Sequence, residues 1–388
     1  MAQLEFTGML PADAITLQNY TQHTVDYHLL DWGSAWRTLL RTALDNRGAD
    51  VSEVGSTWVI SLADMQALRA ISRAEIHTLG GEDTFLPAAF RSCQRINDPQ
   101  LWAVPFTTET RLLYYRKDLL EQAGIDASRA FQSNQSLFET LERLKTLPGV
   151  IPWTMTTHEL SVLHNMATWV WGSGGDFRTP DGRHMRLHQQ PAVQGMVDFY
   201  RLGRYLQPGV HSLSVDESDA LFREGKAAVA LSGNWLLRQI TAAGQTSGWS
   251  QKLGTAPPPG IPYLGGSNLI LWRHSHLTQP GLDLVGFLTS QPVQLAIFQY
   301  TGNLPAREDV LQLPTFKDDP HLGVIAQCLL RGRSFNAGYR WAAIEARLVA
   351  FLIDLWDDVL AKGDFQVETE VPRRIQAFAE FLEKTILS

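Results

Sequence analysis

Apolar and polar residues follow two rhythms along this chain, and the switching between them sets out its elements. Gln3–Thr7, Val25–Leu30 and Asp50–Ser56 read as strands. Between the last two, Trp36, Leu39, Leu40, Ala43 and Leu44 keep helical spacing over Ala35–Asn46, with Ser34 placed to cap that helix. Ile15, Leu17 and Tyr20 mark a helix over Ala12–His23, and Met65–Ile71 reads as another. Strand, helix, strand, helix, strand, helix predicts a parallel sheet with helices on its faces.

Leu101–Gly124 is the stretch around which the rest of the chain is organised. Leu101–Pro105 is an extended run, and a proline, unable to donate to a ladder, is expected to end it. Thr107–Thr110 forms a polar elbow around Glu109. A second strand, Leu112–Tyr115, runs into a helix over Lys117–Ala123, stopped by Gly124. On its own residues Glu109 is either a loop carboxylate in water or a carboxylate at the mouth of a cleft.

Beyond Gly124 the helical rhythm dominates. Helices are predicted over Gln135–Leu147, Val162–Trp171, Pro191–Leu206 and Ser218–Glu224, the last capped by Ser218. Ala227–Ser232 reads as a strand delivering Gly233-Asn234-Trp235. Pro257–Pro259 force a rigid extended crossing, taken as a second passage between domains. Gly265-Gly266-Ser267-Asn268 opens onto a strand at Leu269–Trp272. Further helices are predicted at Pro280–Ser290, Pro292–Tyr300, Val324–Leu330, Trp341–Leu360 and Val371–Ile386. No tandem repeat interrupts the series.

Length and composition narrow the function. A chain of 388 residues exceeds one ordinary core and predicts two domains. A net charge of −7 with scattered Lys and Arg argues against nucleic acid as a partner. Cys93 and Cys328 lie in apolar helical contexts and are expected as buried free thiols. His184 and His188, and His274 and His276, lack a third ligand fixed by spacing, so no metal is expected, and no cofactor. No run of 18 apolar residues is present, and the N-terminus has no basic-then-apolar leader and no lipid-attachment Cys. Of 12 tryptophans, Trp32, Trp58, Trp171, Trp235 and Trp341 fall beside small or polar residues in predicted loops. Large aromatic faces in loops are a binding signature.

Four passages carry a family resemblance: Leu101–Gly124 with its Tyr115-Arg116-Lys117-Asp118-Leu119 ending; Thr168–Phe177 (TWVWGSGGDF); Phe222–Trp235 (FREGKAAVALSGNW); and Leu253–Trp272 together with Gly302–Arg307. In this order they resemble the extracellular solute-binding proteins of ABC importers, in the sugar-binding, maltose-binding-protein-like group. The match covers about residues 100–310 well and the ends more loosely. The resemblance implies a two-lobed α/β periplasmic binding protein fold of type II, with discontinuous lobes joined by a hinge. Residues 1–108 and 263–308 would form the N-terminal lobe, and 109–262 with 309–388 the C-terminal lobe. The chain would cross near Thr107–Arg111, Ala256–Pro262 and Arg307–Leu313. The ligand would lie in the cleft and close the lobes.

The same resemblance assigns candidate ligand residues. Glu109 aligns with a carboxylate that accepts sugar hydroxyls, since one carboxylate can hold two at once. Trp235 stands where the family places an aromatic platform, against the alternative of a core tryptophan. Thr57 and Trp58 end a strand that supplies a ligand loop. Gly265, Gly266 and Asn268 offer backbone N–H groups and an amide, or simply a bulge that starts a strand. His164 and Trp171 lie on one helix, where Trp169 and Trp171 cannot both reach ligand. Tyr339 and Trp341 open the long C-terminal helix, and Arg307 bonds across the hinge or is solvated. Asn234 stands where relatives often have Pro, which is expected to loosen the loop before Trp235. The implied function is capture of a neutral sugar, glycoside or oligosaccharide by a monomer and its delivery to an ABC permease, in the periplasm or tethered outside the membrane. The rivals are another solute on the same fold, a ligand sensor, and a carbohydrate-active enzyme pairing Glu109 with Glu159 or Asp176.

Overall fold

The computed structural model describes the chain except residues 12, 14–16, 245–248, 339, 362–365 and 388. Two compact units share it. The first comprises Met1–Glu109, Leu264–Asp319 and Ser334–Ala342; the second comprises Thr110–Tyr263, Pro320–Arg333 and Ala343–Ser388. Residues 309–319 and 334–342 therefore pack with the first unit, whereas the sequence reading groups them with the second. The chain passes from one unit to the other after residues 109, 263, 319, 333 and 342.

The described strands are β1 (Gln3–Gly8), β2 (Thr24–Leu29), β3 (Val51–Gly55), β4 (Val104–Arg116), β5 (Ile151–Met155), β6 (Ala227–Gly233), β7 (Leu253–Ala256), β8 (Leu264–Leu271) and β9 (Leu304–Pro305). In the first unit β1 runs parallel to β2 and β3, β3 pairs antiparallel with β8, and β8 neighbours the first part of β4. β9 pairs with Thr107 and Thr108 of β4. In the second unit the later part of β4 pairs antiparallel with β6 and β7, and β5 runs parallel to β6.

Several predicted boundaries move, each for a visible reason. β4 is one strand of 13 residues with Pro105 at its second position, so the expected break and elbow are absent. Proline is tolerated there because the start of a strand needs no donor from it. β8 begins at Leu264 and takes in the Gly-Gly-Ser-Asn run. The helix predicted from Ala35 starts at Trp32 after Asp31, which places Ser34 inside it. Met65–Ile71 is not helical: the helix is Val59–Asp64, Gln66 takes a left-handed φ of 57°, and Leu68 and Ile71 make single bridges to Trp272 and Leu101. Ser214, not Ser218, caps Val215–Arg223, in a capping box with Glu217. Of Ala12–His23, residues 12 and 14–16 lie outside the described part, and Leu17–Asn19 is a 3-10 turn.

Each unit has its own core. In the first, Phe6, Val51, Val54, Phe106, Leu269 and Leu271 of the sheet pack with Leu62, Leu284 and Ile297 of the covering helices. In the second, Trp169, Phe199, Tyr200 and Trp356 interlock, with Tyr200 4.7 Å from Trp356 and its hydroxyl donating to the Leu352 carbonyl. Cys93 and Cys328 are buried free thiols, and burial pushes the Cys328 thiol up to about 12.

Candidate functional site

Of the candidate residues, Trp235, in the second unit, has the densest set of contacts. Trp235 follows β6 at the start of the helix Trp235–Gly244. The β4–β6 register sets Arg111 opposite Gly233, so both positions point to the same face of the sheet. Gly233 has no side chain there, and the Trp235 ring takes the room: a Cβ on Gly233 would lie 2.0 Å from ring carbon Cζ3. The Arg111 guanidinium stacks on the ring, 4.8 Å from its centroid. The indole Nε1–H donates to Asp219 Oδ2 at 2.9 Å. Trp235 itself stays half-buried. The Asn234 side-chain oxygen accepts from the Thr110 N–H at 3.4 Å, so this loop is tied to β4 rather than loosened.

Behind Trp235 lies a buried polar layer. Arg111 is 1% exposed, and its Nη2 donates to His164 Nδ1 at 3.0 Å. A guanidinium only donates, so Nδ1 is the acceptor and the imidazole proton sits on Nε2. Burial, aided by the Arg111 charge, holds the His164 pKa well below its usual value, which keeps the ring neutral. His164 stacks on Tyr263 at 4.2 Å, and Arg111 also lies 5.5 Å from the Tyr263 ring. The Tyr263 carbonyl accepts the Thr110 hydroxyl. Asp219 is buried too. Desolvation raises its carboxyl pKa, against the bonds from Ser232 and Trp235 and the charges of Arg223 and Arg111.

Trp171 is buried, edge-on to Phe177, with the Arg333 guanidinium over its ring. Arg333 also holds Asp176 in an ion pair. Trp171 is thereby a packing residue rather than an open face. Trp169 is buried as well.

In the first unit, Thr57 and Trp58 form the turn after β3 and are half-buried. Trp58 meets Trp32 edge-on at 5.8 Å and Trp36 at 5.5 Å, and Trp32 is 49% exposed. That exposure takes Trp32 out of the core. The turn is fastened to β8, where Ser56 N–H donates to the Gly266 carbonyl. Gly266 has a φ of +131°, and a Cβ there would meet the Thr107 carbonyl at 2.1 Å, so this close crossing of β8 and β4 admits only glycine. Gly265 is buried, as is Asn268, whose amide donates to Ser92. Both therefore serve the strand. Glu109, the last residue of this unit's first segment, is half-buried on β4.

A buried carboxylate supports this surface. Glu53 accepts from Met9 N–H and from Ser267 Oγ, each at 2.6 Å, and Ser267 is in turn 2.7 Å from Thr107 Oγ1. Desolvation raises the Glu53 pKa, opposed by these bonds. One side chain thus ties the loop after β1 to β8 and β4.

The remaining candidates part from the site. Trp341 is fully buried against Phe335, 5.1 Å away, and cannot offer a face to ligand. Arg307 grips Asp309 with two bonds and donates to the Thr289 carbonyl, so it is neither solvated nor a cross-hinge contact. Tyr339 lies outside the described residues. Arg111, Asp219, Tyr263 and Glu53 were missed by sequence reasoning. The available signal was a lone arginine inside an apolar strand, and its partners lie more than fifty residues away.

The family model for bacterial extracellular solute-binding proteins matches residues 15–324. The sugar-binding protein MalE of the phytopathogen Xanthomonas citri superposes with a TM-score of 0.84 at 21% identity, over 98% of each chain. A binding protein of Brucella abortus is 21% identical over 318 residues, 79% of this chain and 74% of that one. The sn-glycerol-3-phosphate-binding periplasmic protein UgpB of Rhizobium meliloti is 24% identical over 221 residues, 54% of this chain and 50% of that one. The fold is accordingly the two-lobed α/β fold of periplasmic binding proteins, and the chain belongs to the bacterial extracellular solute-binding protein family.

Proposed function

We propose that the chain is the substrate-binding component of an ABC importer and captures a small neutral sugar, glycoside or oligosaccharide. It works as a monomer in the periplasm or tethered outside the membrane, and makes and breaks no bond in its ligand. Trp235 is the platform: the apolar C–H face of a pyranose stacks on an indole while its hydroxyls seek polar partners. In the first unit Glu109 accepts hydroxyls, and Trp58 with its neighbour Trp32 supplies a second aromatic surface. The observation that carries the reading is the half-buried Trp235, held from behind and at its N–H by side chains of its own unit. The likeness to a sugar-binding MalE supports it.

A thermal-shift screen tests it. Maltose and other mono- and disaccharides should raise the melting temperature by mass action, by about 2.7 kcal/mol of stability at a hundredfold excess over Kd. The panel includes glycerol 3-phosphate, because the likeness to UgpB favours a polyol phosphate as the second reading. If amines or peptides stabilise the protein and no sugar does, the sugar reading is wrong.

A further inference from the structure

We propose that Arg111 and Asp219 are positioning residues for Trp235, holding its indole in one orientation so that the platform is set before ligand arrives. The inference rests on the reading of Trp235 as the sugar platform. Three elements converge on the ring. β4 brings the Arg111 guanidinium onto its face, the helix Val215–Arg223 brings the Asp219 carboxylate to its N–H, and β6 supplies bare backbone at Gly233. Each contact removes a different freedom. The guanidinium and Gly233 limit tilt, and the bond to Asp219 limits rotation in the ring plane.

Burial argues that this arrangement is more than packing. Arg111 and Asp219 are each 1% exposed, and desolvating charged groups is unfavourable where an apolar residue would fill the same space. The guanidinium is flat, as its stacking on Trp235 and Tyr263 requires, and it has a fixed acceptor in His164. Trp235 keeps some exposed surface although the Arg111 packed on it is sealed. Fixing a side chain during folding removes the entropy of ordering it from the binding step.

Two readouts test the clamp: the Trp235 indole N–H signal in a nitrogen-15 spectrum, assigned by its loss in Trp235→Phe, and the Kd for maltose by calorimetry. Arg111→Met and Asp219→Leu should broaden or split the indole signal and weaken maltose binding about tenfold. Asp219→Asn, whose amide oxygen still accepts, should keep a single sharp signal and stay within about threefold of the wild type. A folded Arg111→Met protein with an unchanged indole signal overturns the proposal, even if its affinity falls, because Arg111 then acts elsewhere. If Arg111→Met does not fold, Arg111→Lys is read in its place with the same expected result, since an ammonium has no flat face to stack. A wild-type protein that binds no sugar sinks the sugar reading, and the indole signal alone then decides this one.

Discussion

At Trp235 the consequences of single residues are sharpest. Truncation to alanine should weaken sugar binding by about 1–3 kcal/mol, the scale of a packed aromatic anchor, as read by calorimetry. Gly233→Ala leaves every polar partner in place yet inserts a methyl where the ring lies. It should cost about 1–3 kcal/mol of stability by overpacking and alter the near-ultraviolet circular dichroism of the indole; unchanged stability with an unchanged spectrum would show that the ring does not lie against Gly233. His164 gives a third check. Its pKa is depressed by burial and by Arg111, so its ring stays neutral through the range in which a solvated histidine titrates. Long-range nitrogen–proton correlations should find only the Nε2–H tautomer, and a titration with a midpoint near the ordinary histidine value of about 6.5 would contradict the buried contact. Trp235 and His164 were named from the family resemblance, but the contacts that join them to Arg111 and Gly233 were not legible in sequence. Gly233 and Trp235 are two apart and visible together, but Arg111 joins them only through a strand register that spans 122 positions in the chain.

Elements were legible in proportion to how local their causes are. Long helices such as Trp341–Ala361 come directly from apolar spacing. β4 reads as two strands because the sequence shows a proline and a run of polar residues, whereas Thr107 and Thr108 pair with β9 and the same extended strand goes on to pair with β6 and β7 from Arg111. The short helix Arg73–Thr78 depends on its ends. Ser72 and Glu75 form a capping box, and Arg69 holds Glu75 with two bonds of 2.6 and 3.0 Å. These contacts lower the Glu75 pKa to about 2. A carboxyl depressed in the folded state contributes stability that is present above its unfolded pKa, about 4.3, and is lost as pH falls toward 2. Glu75→Gln should therefore cost about 1 kcal/mol near neutrality, the worth of a cap, and progressively less as pH falls from about 4 through 2. A difference between the two proteins that is independent of pH, in urea unfolding, would show that the charge plays no part.

At the scale of the whole molecule, two domains, an α/β class and the family were readable before any coordinates. The four passages that carried the resemblance are runs of contiguous residues. Which late segments belong to which unit was not readable, because 309–319 and 334–342 are assigned by packing with distant strands. The five passages between units also govern how this protein is made. β8 stands between β3 and the first part of β4 yet is encoded 209 positions after β3 ends and begins 148 positions after β4 ends. While the chain emerges from the ribosome, β3 and β4 therefore wait with open edges for a strand not yet synthesised, at about 5–20 residues per second. A nascent chain halted before residue 264 should be protease-sensitive throughout its first hundred residues, and one extended past residue 342 should become resistant. The unit that holds residues 1–109 is thus completed only once residue 342 has been added.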